Sequence, residues 1–261
     1  MTELVRYETS GGIATLTLCD PPANTYSYAM MQALDAAILK ARMDESVHVL
    51  VLTGDGDKFF CAGANIQMLN EVTPTFKYYF CLHANETLNR LEQTNKLVIA
   101  ALNGHTVGGG LEVALAADLR IAKKDGGKIG LPEVALGVLP GTGGTQRLAR
   151  LLGKSKALEL MIKGTTFGFD EAQSLGLVNE VLPAEGFKEA VRAYASEFVP
   201  PRRASKAVGS IKRAVHSGLE GSFAEGLALE RELQQQLFLS ADAKEGLRAY
   251  LEKKKPEFTG K

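Results

Sequence analysis

Residues 97–115 read Leu97-Val98-Ile99-Ala100-Ala101-Leu102-Asn103-Gly104-His105-Thr106-Val107-Gly108-Gly109-Gly110-Leu111-Glu112-Val113-Ala114-Leu115, and this stretch decides the fold class. Its first six residues are a short unbroken apolar run, the pattern of a strand covered on both faces. Three glycines follow a strand end, and then come helix formers, so a strand feeds a tight turn and a helix. That succession is the unit of an α/β protein. A helix that opens directly on glycines leaves backbone N–H groups unpaired at the positive end of its dipole, which is a device for stabilising an anion.

Upstream, residues 4–9 and 13–18 alternate apolar and polar side chains around Ser10-Gly11-Gly12, which predicts a β-hairpin. Asp20-Pro21-Pro22 ends the second strand. Ser27 is placed to cap a helix carrying Met30, Met31, Leu34, Ile38 and Leu39 at helical spacing, and 47–52 reads as a buried strand. A long amphipathic helix over 74–91 then leads into the 97–102 strand. Downstream, 119–122 and 128–129 are strand candidates. Beyond Gly141 nearly the whole chain has helical periodicity, ending in a charged helix over 241–254 whose Lys253-Lys254-Lys255 lies where the dipole favours cations. There is no internal repeat and no low-complexity linker.

The composition narrows the function classes. A chain of 261 residues, 45% hydrophobic and 23% charged, can bury a large core. Its 30 basic and 30 acidic side chains cancel, so no whole-protein field attracts nucleic acid or an anionic membrane, and an anionic ligand must be met by a local site. The absence of a long apolar run and of a leader-like N-terminus predicts a cytoplasmic or matrix-like location. Cys19, Cys61 and Cys81 lie in or beside apolar segments without a C-x-x-C pair, which predicts reduced thiols. His48, His83, His105 and His216 lack metal-ligand spacing, so no metal is expected.

Two glycine segments do not make nucleotide sites. Gly141-Thr142-Gly143-Gly144 lacks the third glycine of G-x-G-x-x-G, and Gly153-Lys154-Ser155 has Leu148 where a P-loop needs glycine. Turns and close packing are the alternative for both. Phe60-Cys61-Ala62-Gly63-Ala64-Asn65 is different, because small residues after a strand let a ligand carbonyl approach the backbone. With the 108–112 segment it could supply the second N–H of an oxyanion hole, although spacing alone does not show that the two loops converge. Glu112 and Glu133 are lone acids in apolar stretches. Each could be a structural carboxylate satisfied by backbone N–H groups or by Arg120 or Arg147; two such acids beside glycine turns favour acid–base chemistry.

The segments 60–64, 103–112 and 131–148 (Leu-Pro-Glu-Val-Ala-Leu-Gly-Val-Leu-Pro-Gly-Thr-Gly-Gly-Thr-Gln-Arg-Leu) resemble the signature segments of the crotonase, or enoyl-CoA hydratase/isomerase, superfamily. The likeness spans nearly the whole chain, including Asn24 after the Pro-Pro turn, Gly164-Thr165-Thr166, 172–178 and Lys244-Glu245-Gly246. It implies an α/β fold with a ββα spiral core over residues 1–200. A C-terminal helical region over 201–261 would build homotrimers, usually paired as hexamers. It also implies an oxyanion hole from the N–H groups of Ala64 and Gly109, and a CoA site at Ala62, Ala64 and Ile66. Tyr250 and Lys253 would reach CoA, often that of a neighbouring subunit.

Hydratases of the superfamily carry both acids. The resemblance therefore implies that Glu112 takes a proton from water as oxygen adds at C3 of a 2-enoyl-CoA while Glu133 delivers one to C2, or the reverse dehydration. Isomerases commonly keep one acid, and a double-bond isomerase is the second reading. CoA is part of the substrate, so no separate cofactor, membrane or nucleic acid is implied; an RNA-binding relative exists, but the neutral charge argues against that role here. Asn65 stands where many members have aspartate, and can still cap a helix. One extra residue falls at Asp125-Gly126-Gly127, in a surface turn. The 72–82 segment should line the acyl pocket, where Phe76, Tyr78, Tyr79 and Phe80 suggest a bounded space for a short or branched chain, methylglutaconyl-CoA included. Lys77 is placed either to meet a distal carboxylate or to be a solvated surface residue.

Overall fold

The computed structural model describes residues 3–261. β1 (Val5–Ser10) and β2 (Ile13–Leu18) form the antiparallel hairpin, and Gly11 and Gly12 turn at φ 59° and 80°, values that favour glycine. α1 (Tyr28–Met43) starts at Ser27, whose hydroxyl oxygen accepts the Met30 N–H at 3.2 Å. Then follow β3 (Val49–Gly54), β4 (Phe59–Cys61), the short α2 (Ile66–Glu71) capped by the Asn65 side chain, and α3 (Pro74–Glu92) capped by Thr73. β5 (Leu97–Leu102), β6 (His105–Val107) and α4 (Gly109–Leu115) are the strand, second strand and helix of the 97–115 stretch. β7 (Leu119–Lys123) and β8 (Lys128–Gly130) lead to a 3-10 turn at Glu133–Leu136, α5 (Gly144–Leu152) and α6 (Lys154–Lys163). The chain continues through β9 (Thr166–Gly168), α7 (Phe169–Ser174), β10 (Glu180–Leu182), α8 (Phe187–Ser196), α9 (Ser205–Glu220), α10 (Phe223–Phe238) and α11 (Ala241–Leu251).

The strands sort into a larger sheet of order β1-β2-β3-β5-β7-β10 and a smaller one of order β4-β6-β8-β9. After β3, β5 and β7 the chain adds one strand to the smaller sheet and then turns helical, and each round lies parallel to the last. This is the stacked ββα spiral. The larger sheet is covered on both faces, and the period of two divides β3 accordingly. Leu50 and Leu52 join a core with Leu34 and Ile38 of α1 and Leu88 of α3, whereas Val49 and Val51 pack with Phe187 and Val191 of α8.

The structure corrects the C-terminal half of the sequence reading in two places. β9 and β10 interrupt the helical pattern beyond Gly141, each three residues long and at a sheet edge, too short to leave a periodic signal. The last helix ends at Leu251, and Lys253 sits at φ 54°, so the lysine cluster follows the helix instead of forming its final turn. Among the described residues no helix is long and apolar enough to cross a membrane.

Two buried asparagines hold the loops between the sheets. Asn24 donates through Nδ2 to Asp55 O and Phe59 O, both at 2.9 Å, and Asn103 donates to Gly54 O at 3.0 Å and Gly56 O at 2.8 Å. The β3–β4 turn is thereby fixed against β5, which sets where the following 60–65 loop can lie.

The helical C-terminal region is tied to the sheet by a buried ion pair. Lys212 of α9 lies 2.9 Å from Asp118 Oδ2 and donates to Lys96 O, while the same carboxylate accepts the Val98 N–H at 2.7 Å. Asp118→Asn leaves an ammonium buried without its counter-charge and should destabilise the fold by about 3 kcal/mol. Urea unfolding checks this; a loss below about 1 kcal/mol would show that the pair does not hold α9.

Candidate active site

Glu112 lies on α4, every residue of which is buried, and is itself 2% exposed. A carboxylate taken that far from water needs donors, and it has three. Its Oε1 accepts the Thr142 N–H at 2.7 Å and the Gly144 N–H at 2.8 Å, and its Oε2 accepts the Thr142 hydroxyl. Thr142 Oγ1 accepts in turn from Tyr26 OH at 3.0 Å. Burial, with the charge of Glu112 as a second cause, holds the Tyr26 phenol well above its ordinary pKa, so that it remains a donor. The lone pairs can then be counted. Oε1 has both engaged and Oε2 one, which leaves one acceptor position on Oε2 for a mobile donor.

The glycines are steric requirements of this cradle. A Cβ on Gly144 would stand 3.0 Å from Glu112 Oε1 and 2.8 Å from Pro140 Cβ. The arginine partners considered from sequence are engaged elsewhere: Arg120 donates to Leu177 O and Ala117 O, and Arg147 pairs with Glu92 at 2.8 Å. Backbone N–H groups do satisfy Glu112, but they do so from a turn that needs glycine, with Gly143 at φ 113°, and that also orients the carboxylate.

Glu133 opens the 3-10 turn after Pro132. Its Oε1 lies 3.2 Å from the point where a Cβ on Gly108 would stand, and its buried Oε2 has no hydrogen-bond partner among the described residues. Burial pushes its carboxyl up to about 7, and the charge of Glu112 adds to the rise, against its own backbone N–H and Lys77. The two acids are therefore close enough to feel each other yet differently prepared, one held as an acceptor and one half protonated near neutrality. The turn at Asp125-Gly126-Gly127 leaves β8 paired with β6, Ile129 opposite Thr106.

The glycine loops converge. The Tyr26 backbone N–H donates to Gly63 O at 2.9 Å and its carbonyl accepts from the Asn65 N–H at 3.1 Å, a parallel bridge that turns the Ala64 N–H away from Tyr26. Gly109 is the first residue of α4, so its N–H has no partner in the helix. Gly63 sits at φ 90°, and a Cβ there would come within 2.9 Å of Gly109 N. The space in front of that N–H is therefore kept open by the missing side chain. Gly109 in turn packs on Tyr26, whose Oη an added Cβ would strike. Tyr26 thus braces both loops, the 60–65 loop through its backbone and the start of α4 through its ring, and its hydroxyl reaches the Glu112 carboxylate through Thr142.

Tyr26 and Thr142 were not found in the sequence. Thr142 lies in the 141–144 turn, inside the 131–148 segment of the resemblance, but its aim at Glu112 depends on a contact across thirty positions of chain. Of the residues implied for CoA, Ala62 donates its N–H to Ala23 O at 3.0 Å, and Ile66 is exposed at the start of α2. Tyr250, 83% exposed, and Lys253 lie at the end of α11 without a hydrogen bond to the glycine loops. In the 72–82 segment, Phe80 is buried beside Tyr26, with ring centroids 5.7 Å apart, and Phe76 and Tyr28 pack on it. Tyr78 and Tyr79 are exposed and do not line this wall.

Residues 8–261 match the family model described as enoyl-CoA hydratase/isomerase. A probable enoyl-CoA hydratase of Bacillus subtilis is 37% identical over 250 residues, covering 95% of each chain. A short-chain-enoyl-CoA hydratase of Clostridium acetobutylicum is 36% identical over 251 residues, covering 96% of this chain and 95% of its own. Among solved structures, an enoyl-CoA hydratase of Bacillus anthracis superposes with a TM-score of 0.92 at 31% identity, covering 99% of this chain and all of that one.

Proposed function

This chain belongs to the enoyl-CoA hydratase/isomerase family, and within it we propose that it adds water reversibly across the double bond of a short-chain or branched 2-enoyl-CoA to give the 3-hydroxyacyl-CoA. The observation that carries this reading is the unequal carboxyl pair: Glu112 with one open acceptor position, and Glu133 with an unpartnered oxygen and a pKa of about 7. Moving a double bond asks one group to shuttle a proton. Hydration asks for an acceptor at the water and a donor at C2, and the unequal pair supports that division.

In the hydration direction, water donates a hydrogen bond to Glu112 Oε2 and its oxygen attacks C3. The leaving proton passes to Glu112 as the C3–O bond forms. Electrons move through C2 onto the thioester oxygen, held between the Ala64 and Gly109 N–H groups, and the protonated Glu133 gives its proton to C2. Proton exchange with solvent resets the pair. Dehydration is the same path reversed.

CoA itself is assigned to the 62–66 loop, with Ala62 and Ile66 beside the hole. Tyr250 and Lys253 would be supplied by a neighbouring subunit of a homotrimer or a hexamer. Exposed Leu136, Val138, Leu139, Leu158 and Ile162, next to the Glu133 turn and on α6, support such an assembly, because so many large apolar side chains in one region favour a covering surface. A cytoplasmic or matrix-like compartment belongs to the same proposal.

The pH profile tests the division of labour. Glu133 acts as an acid only while protonated, so kcat/KM for crotonyl-CoA hydration should fall as pH rises through about 7. Glu133→Gln should lose activity by about a hundredfold or more and abolish that limb. A wild-type profile flat from pH 6 to 8.5 would remove Glu133 from the role.

A further inference from the structure

Lys77 is a cation in an unusual place. The buried face of α3 runs Phe80, Ala84, Leu88, Leu91 at helical spacing, and one more step toward the N-terminus is Lys77, half-buried where the pattern calls for an apolar residue. Its ammonium stands 5.3 Å from the centre of the Phe80 ring. Phe80 is the ring that packs on Tyr26, the brace of the Glu112 cradle, and with Phe76 and Tyr28 it makes the aromatic wall beside the acids. Most lysines of this protein that approach the core find an acceptor: Lys96 donates to Ala41 O and Asp44 O, Lys123 to Asp57 O, and Lys212 pairs with Asp118. The Lys77 ammonium makes no ion pair and no hydrogen bond among the described residues. Its charge is nevertheless felt at Glu133, one of the two acids of the proposed site.

An apolar wall carrying one unpaired cation is built for an acyl chain with an anion at its far end. We propose that Lys77 reads a distal carboxylate, and that the preferred substrate is a short 2-enoyl thioester of a dicarboxylic acid. The proposal rests on the hydratase reading and adds the class of acyl chain to it. The carboxylate would displace water from Lys77 and form a charge-assisted hydrogen bond over the Phe80 ring, whereas a plain alkyl end leaves the ammonium partly desolvated and unpaired. Lys77 contacts the part of the substrate that does not react, so it sets specificity.

The test compares thioesters that share CoA and differ only at the chain end. Glutaryl-CoA and butyryl-CoA, which cannot be hydrated, are titrated calorimetrically into wild type, Lys77→Met and Lys77→Arg. Wild type should bind glutaryl-CoA about tenfold more tightly. Lys77→Met should lose that preference and Lys77→Arg keep most of it. The kcat/KM ratio of glutaconyl-CoA to crotonyl-CoA should move in parallel. The ratio is the readout because removing Lys77 also changes Glu133 and alters both rates together. Equal affinities in wild type, or a preference that survives Lys77→Met, would overturn the proposal; a contact of Lys77 with CoA would give that second result, since both ligands would weaken alike. If neither enoyl thioester is hydrated but the Lys77-dependent binding preference stands, the reaction assignment fails and the carboxylate reading holds.

Discussion

Replacing Glu112 with glutamine should reduce kcat for crotonyl-CoA hydration by about a thousandfold with little change in KM or in the unfolding midpoint. The side chain keeps its shape, and the amide oxygen can occupy the Oε1 position, where it still accepts the Thr142 and Gly144 N–H groups. The amide nitrogen then donates to Thr142 Oγ1, which turns its own proton to Tyr26 Oη at the cost of the phenol's donor bond. The cradle survives, so the fold should too. What disappears is the free acceptor position on Oε2, and with it the only route assigned to the water proton. Steady-state kinetics beside urea unfolding separate these effects. A rate loss below tenfold in a stable variant would mean that Glu112 is a structural carboxylate.

Gly63→Ala should cost about 10² to 10³ in kcat/KM, because the new methyl would stand 2.9 Å from Gly109 N, where the thioester oxygen has to sit. Gly63 is at φ 90°, so the substitution also strains the backbone by about 1–2 kcal/mol. Gly176→Ala is the control: Gly176 is at φ 79° with nothing within 4 Å of an added Cβ. It should lose the stability that the backbone strain alone costs and keep its activity. If both variants keep their activity, the space before Gly109 is not where the carbonyl binds.

Much of this was legible in the sequence because it depends on neighbours along the chain. The 97–102 apolar run, the glycines at 108–110 and the buried α4 follow from local pattern, and the isolation of Glu112 and Glu133 among apolar residues marked them as acids with a reason to be there. The resemblance in the 60–64 and 103–112 segments named Ala64 and Gly109 as donors, which local pattern could not do. What stayed hidden depends on long-range geometry. The Tyr26–Thr142–Glu112 relay joins three distant segments, and β9 and β10 exist as strands only because β8 and β7 lie beside them. The end of α11 turned on a single residue, Lys253, adopting a left-handed conformation, for which the lysine run gave no sign.

The most direct measurement gives wild-type enzyme crotonyl-CoA in one cuvette and a cis-3-enoyl-CoA in another, following the conjugated enoyl-thioester absorbance and identifying products by mass. Hydration through the Glu112–Glu133 pair predicts rapid loss of absorbance with crotonyl-CoA and a product heavier by one water. Crotonyl-CoA left untouched, with absorbance appearing from the 3-enoyl-CoA at unchanged mass, would show an isomerase and contradict the two-carboxyl hydration mechanism.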